Sequence, residues 1–175
     1  MRAARPQLPQ LVAICLHVEI IWLYIGAMTS PAFLAATRLL QAHDRFEQRL
    51  AGDLGAFHGL ALKEALLLLQ LARAPQARLS RVDLAKRLSA SPSTVTRLTL
   101  PLEKRGLVGR ASDPRDARLA YVTLSASGRQ LAKEAGDTIE RLSAKTFSDR
   151  WTDDEIHTLG GLLGRLTAPE QGELA

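Results

Sequence analysis

Residues 80–124, SRVDLAKRLSASPSTVTRLTLPLEKRGLVGRASDPRDARLAYVTL, leave this chain few ways to fold. They predict a helix, a tight turn, a second helix and then two short strands joined by a charged tip. Ser80 followed three residues later by Asp83 is a helix-start pattern, and Val82, Leu84, Ala85 and Leu88 supply an apolar stripe. Ser91 stands as the cap of the next helix. Pro92 follows at the first helical position, where a missing N–H costs nothing. From there Val95, Leu98 and Leu102 recur at i, i+3 and i+7 and should face inward, with Ser93, Thr94 and Arg97 on the opposite side. Gly106 is placed to close the helix. Leu107–Arg110 and Arg118–Leu124 then predict a hairpin, Val122 and Leu124 forming its apolar face by alternation, and Leu79 a short third strand.

Two helices on a short connection, the second opening on small hydroxyl residues and an arginine, resemble a helix-turn-helix. The chemistry suits a duplex: Ser93 and Thr94 permit close approach in a major groove, and Arg97 has the forked donors that bridge guanine O6 and N7. A Ser/Thr-rich surface helix would begin the same way, so the hairpin tilts the choice. Its tip, ASDPRDAR, packs Asp113, Arg115, Asp116 and Arg118 around the turn-former Pro114. That is how a wing is built. Arg115 could enter a narrow minor groove, and Asp116 and Arg118 could pair across the tip and stiffen it.

The segments SPSTVTRL (91–98), LEKRGLV (102–108), DPRDAR (113–118) and VTLSASGRQL (122–131) together resemble the winged helix of the MarR (multiple-antibiotic-resistance regulator) family of bacterial transcription factors. The resemblance covers residues 80–131. It implies an obligate homodimer on a pseudo-palindromic operator, repression by promoter occlusion, and release by a phenolic or similar amphipathic acid. The implied effector pocket draws on Phe46, Phe57, His58 and Leu62, each equally explicable as core packing. One departure matters. Leu100 and Pro101 replace polar or basic residues, and Pro101 removes a hydrogen bond to the Arg97 carbonyl, so the helix is expected to bend there and base contacts are confined to its first half.

Charge agrees with that reading. The net +5 is carried entirely by segment 80–118, with nine Lys/Arg against four acids, while the rest of the chain balances at fourteen of each. Ser91, Lys104, Arg105 and Arg110 are the candidate phosphate contacts. Other functions find little support. Cys15 is the only cysteine, in an apolar run without a neighbouring cation, and the four histidines are scattered, so neither a thiolate cluster nor a metal site is expected. There is no phosphate loop, nucleophile elbow or catalytic carboxylate pair, and the reading is of a non-enzyme without a cofactor.

The fold class expected is mainly α with a small β-hairpin wing (α+β). Three regions divide it: an apolar N-terminal extension at 1–30, a helical dimerisation region from 31–56 and 125–169, and a winged helix-turn-helix at 57–124. Leu8–Met28 is apolar apart from Gln10, His17 and Glu19. A helix of about 20 residues could span a bilayer, but Glu19 near its middle costs about 2.5–3.5 kcal/mol on insertion scales. An upstream extension with Met28 as the natural start, or an extra packing helix, is preferred over an anchor, and a cytoplasmic location follows. In 31–51 the side expected to be buried is Phe33, Leu34, Leu39, Leu40, Phe46 and Leu50, with AGDLG (51–55) as the break. His58–Ala72 is apolar on most sides and should be a core helix. Ser125 caps a long helix with Leu131, Ala135, Ile139, Leu142 and Thr146 as its stripe. T-x-x-E at 152–155 opens a last helix through Ile156, Leu159, Leu162, Leu163 and Leu166. The rival function is a winged-helix protein-interaction module, membrane-tethered through residues 8–28, without sequence-specific DNA binding.

Overall fold

The computed structural model describes residues 30–112 and 120–167. In chain order these form α1 (Pro31–Asp53), a π-helical turn (Leu54–His58), α2 (Leu62–Arg73), a 3-10 turn (Pro75–Ala77), β1 (Arg78–Ser80), α3 (Arg81–Arg87), α4 (Pro92–Lys104), β2 (Val108–Ser112), β3 (Ala120–Leu124), α5 (Ala126–Phe147) and α6 (Asp153–Thr167). The fold is mostly helical with one small sheet. The apolar run before Met28 and the wing tip at 113–119 lie outside the described residues.

The chain divides into two units, residues 1–48 and 49–175. In the first, Ser30 Oγ accepts the Phe33 N–H at 3.1 Å and so opens α1. Phe33, Leu34, Leu39 and Leu40 are exposed, against the expectation that they are buried, and Phe46 is half-buried. Helical periodicity guarantees a common face, not something to cover it.

In the second unit, α2 is the core helix: Ala65, Leu67, Leu68 and Leu71 have no exposed surface, as do Leu54 and Leu84. The break expected at AGDLG occurs later. Gly52 and Gly55 stay helical, and the chain turns at Gly59, whose φ of +60° is left-handed. Leu60 N–H closes the turn on Leu54 O at 3.2 Å, and Glu64 accepts the Ala61 N–H at 2.9 Å to start α2. A glycine tolerated in a helix is no terminator; the residue that adopts positive φ is.

The sheet is antiparallel with order β1-β3-β2. Leu79 lies opposite Val122, and Val108 opposite Leu124, so the expected third strand is present. Val122 is buried and Leu124 half-buried. Ser125 caps α5 by accepting the Gly128 N–H at 2.9 Å, and its hydroxyl reaches the Gly106 and Leu107 carbonyls at 2.8 and 2.9 Å. The buried line of α5 is Gly128, Ala132, Ala135 and Thr138, with Leu131, Ile139, Leu142 and Thr146 half-buried beside it. Small residues take the closest approach because α5 lies tightly on α2: a Cβ at Gly136 would stand 3.3 Å from Leu69 Cδ2. Thr152 and Glu155 form the expected reciprocal cap of α6. That helix buries none of its residues.

Candidate nucleic-acid interface

The reading head is built from three local decisions. Ser80 Oγ accepts the Asp83 N–H at 3.0 Å and donates to its carboxylate at 2.7 Å, which starts α3. Leu84 and Ala85 then face the core, while Val82, in the first turn of α3, is 52% exposed, against the expectation that it joins their stripe. Between α3 and α4 the chain reverses at Ser89, a non-glycine at φ +47°, with Ala90 N–H bonded back to Ala85 O at 2.9 Å. Ser91 then caps α4, accepting the Thr94 N–H at 3.2 Å with Pro92 at the first position.

Val95 and Leu102 are fully buried in α4, but the third inward residue is Thr99, and Leu98 is only half-buried. Thr99 can replace a leucine there because its hydroxyl donates to the Thr96 carbonyl at 2.9 Å. The opposite side carries what the sequence assigned to it: Ser93 and Arg97 are exposed and Thr94 half-exposed. The Ser91 hydroxyl lies 2.8 Å from that of Ser93 and 2.9 Å from that of Thr94. α4 continues through Pro101 to Lys104 as one helix. Pro101 is exposed, so its ring stands away from the core. Gly106, at φ +68°, ends the helix as expected, with Leu107 N–H on Leu102 O at 2.9 Å.

Of the four candidate phosphate contacts, Ser91 and Lys104 are exposed. The two arginines hold protein groups. Arg110 Nε donates to Glu103 Oε1 at 2.7 Å, and that bond holds its guanidinium further above its ordinary value. Arg105 donates to the Gly59 and His58 carbonyls at 2.9 and 3.3 Å. Arg115, Asp116 and Arg118 lie outside the described residues.

Comparison with known proteins turns this geometry into a family assignment. A profile described as "MarR family" matches residues 60–119. The HTH-type transcriptional repressor Rv2887 of Mycobacterium tuberculosis is 32% identical over 115 residues, 66% of this chain and 70% of its own. The chain belongs to the MarR family. Another relative, the uncharacterized HTH-type transcriptional regulator YxaD of Bacillus subtilis, is 34% identical over 102 residues, 58% of this chain and 68% of that one. Among solved structures, the MarR-family regulator Sco3205 of Streptomyces coelicolor, in complex with DNA, superposes with a TM-score of 0.73 at 24% identity, covering 81% of this chain and 90% of the other. BpsR of Bordetella bronchiseptica, whose structure concerns regulation of DNA binding by 6-hydroxynicotinic acid, gives 0.67 at 25% identity, covering 82% and 96%. This MarR-family chain is a transcriptional regulator and not an enzyme.

The effector residues expected of a MarR-family protein are only partly brought together. Phe57, 70% exposed, and His58 line an open recess with Asp53, Thr138 and Arg141. Leu62, half-buried at the first position of α2, does not line it, and Phe46 belongs to the other unit. His58 Nε2 lies 2.9 Å from Thr138 Oγ1, and Arg141 donates to that hydroxyl oxygen at 3.2 Å. Thr138 and Arg141 went unnoticed in the sequence. Thr138 lies 80 residues from His58 and Arg141 further still, which leaves no local signal, and only helical spacing from Ala135 marks Thr138 as inward. Among the described residues no group of histidine, cysteine or acids could hold a metal ion. No single described helix is long and apolar enough to cross a membrane.

Proposed function

We propose that this regulator is a homodimeric, sequence-specific repressor of the cytoplasm that reads a pseudo-palindromic operator and is released by a small aromatic or otherwise amphipathic acid. The observation that carries the reading is the outward face of α4. Exposed Ser93 and Arg97, with Thr94 beside them, stand on a capped helix whose other side is locked into the core by Val95, Thr99 and Leu102. In this reading Ser93, Thr94 and Arg97 meet base edges in a major groove, Ser91 and Lys104 meet phosphates, and Arg115 reaches the flanking minor groove. Asp116 and Arg118 stiffen the wing that carries it.

Homodimerisation is supported by side chains a single chain leaves in water. α1 exposes Phe33, Leu34, Leu39 and Leu40; α6 exposes Leu162, Leu163 and Leu166. The region from 31–56 and 125–169 is accordingly assigned to dimerisation, and 57–124 to DNA reading. Two copies would set two α4 helices in successive major grooves about 10 bp apart. Repression is favoured by the description of the mycobacterial relative as a repressor.

The effector is assigned to the recess at Phe57 and His58. Arg141 and Thr138 supply donors for a carboxylate and the Phe57 ring an apolar wall, and 6-hydroxynicotinic acid, described as regulating DNA binding by BpsR, is an acid of that kind. Selection of bound duplexes from a random pool tests the central claim. A recurrent two-half-site sequence is expected, with log K falling steeply against log salt. A protein-interaction module would enrich no sequence and bind DNA with little salt dependence. A thermal-shift screen of aromatic acids, repeated on Arg141→Ala, tests the effector: no compound changing melting or DNA affinity would remove it.

A further inference from the structure

We propose that Arg105 is a positioning residue for DNA reading, a clamp that pins the end of α4 to the turn at Gly59 and thereby sets how Ser93, Thr94 and Arg97 are presented. Composition and location made Arg105 a candidate phosphate contact; its bonds give it a role within the fold. Arg105 is the C-cap residue of α4. Its Nη1 donates to Gly59 O at 2.9 Å and its Nη2 to His58 O at 3.3 Å, across 46 and 47 residues of sequence. Those carbonyls end a helical segment, where acceptors lack intrahelical partners and the peptide dipoles leave negative charge, so a guanidinium is the fitting cap. Gly59 cannot be exchanged freely, because its φ of +60° is a conformation that side chains rarely adopt.

The turn is itself anchored. Leu60, 1% exposed, bonds back to Leu54, and the His58 ring meets Thr138 of α5. Arg105 therefore connects α4 to a fixed point on the core. The two carbonyls engage two of the five N–H donors and fix the orientation of the guanidinium. Lysine offers a point charge, which serves a phosphate but cannot span two carbonyls in a fixed fork.

The proposal rests on the DNA-reading function, and the test separates the two. Arg105→Gln and Arg105→Lys of the full chain are compared with wild type on a duplex selected by the wild-type protein and on a random duplex of equal length. Amide exchange is followed without DNA. A clamp predicts that both variants lose roughly tenfold on the selected duplex and less on the random one, as expected for losing charged hydrogen bonds. The salt slope should change by much less than the roughly 0.9 per strand-phosphate contact. The Gly59 and Leu60 amides should exchange faster in both variants. Full rescue by lysine, or equal loss on both duplexes with a flatter salt slope, would overturn the clamp in favour of a phosphate contact. If wild type prefers no duplex, the DNA-reading function fails, and exchange alone decides: unchanged protection at Gly59 and Leu60 in Arg105→Gln overturns the clamp as well.

Discussion

Arg97 is exposed, and among the described residues no group bonds its guanidinium, whereas Arg105 and Arg110 are engaged with protein acceptors. Formal charge does not make these three residues equivalent. Arg97→Ala is expected to cost about 1–3 kcal/mol on the selected duplex and to relax its consensus at one position. Equal losses on selected and random DNA would show that Arg97 touches only phosphate. Gly128 is a stricter residue. A Cβ there would overlap the Leu107 carbonyl oxygen and approach Leu124 Cδ1 to 2.9 Å, where α5 begins beneath the end of the recognition helix. Gly128→Ala should therefore destabilise the fold by at least about 1–3 kcal/mol, read as a lowered midpoint in denaturant. An unchanged midpoint would mean that α5 can back away from Leu107 freely.

At the scale of elements, stability at the interface depends on turns and caps more than on helix propensity. The reversal between α3 and α4 places Ser89 at φ +47°, a conformation in which a Cβ is penalised. Ser89→Gly is expected to raise stability by about 0.5–1 kcal/mol in denaturant titration while leaving the selected sequence unchanged. A loss of stability would indicate that the serine side chain has a use the geometry does not reveal. The start of α6 depends on pH. Glu155 accepts the Thr152 N–H at 2.8 Å, and that bond, with one from the Thr152 hydroxyl, holds its carboxyl below the usual glutamate range. A carboxyl lowered on folding stabilises α6 above the ordinary glutamate pKa and loses that contribution as pH falls through the lowered value. NMR titration should place Glu155 below an unstructured glutamate, with α6 fraying in step. Glu155→Gln, which can still accept the bond, should flatten that dependence.

For the whole molecule, the apolar surface of α6 is the feature a monomer does not explain. Leu162 is 51% and Leu166 70% exposed, on a helix with no buried residue. Leu162→Glu with Leu166→Glu is expected to turn a dimer into a monomer by sedimentation equilibrium. It should also abolish tight binding to a two-half-site duplex while sparing the weak binding of one half-site. A wild-type protein that sediments as a monomer at micromolar concentration would remove the dimer, and with it the spacing of half-sites.

How much of this could be read from the chain depends on distance along it. Caps and stops were legible at Ser80, Ser91, Gly106, Ser125 and Thr152, because each motif acts over three or four residues and its hydrogen bond closes locally. The order of helices and the hairpin followed from periodicity for the same reason. What tertiary structure alone decided was which neighbour each side chain meets. It put Thr99 in the core in preference to Leu98, turned the chain at Gly59 and not at Gly52 or Gly55, and set His58 against Thr138. It also gave Arg105 to two carbonyls 46 and 47 residues away. A local pattern fixes the conformation of a segment and the kind of surface it presents. Burial and long-range pairing depend on what packs against that surface, which no window of the sequence contains.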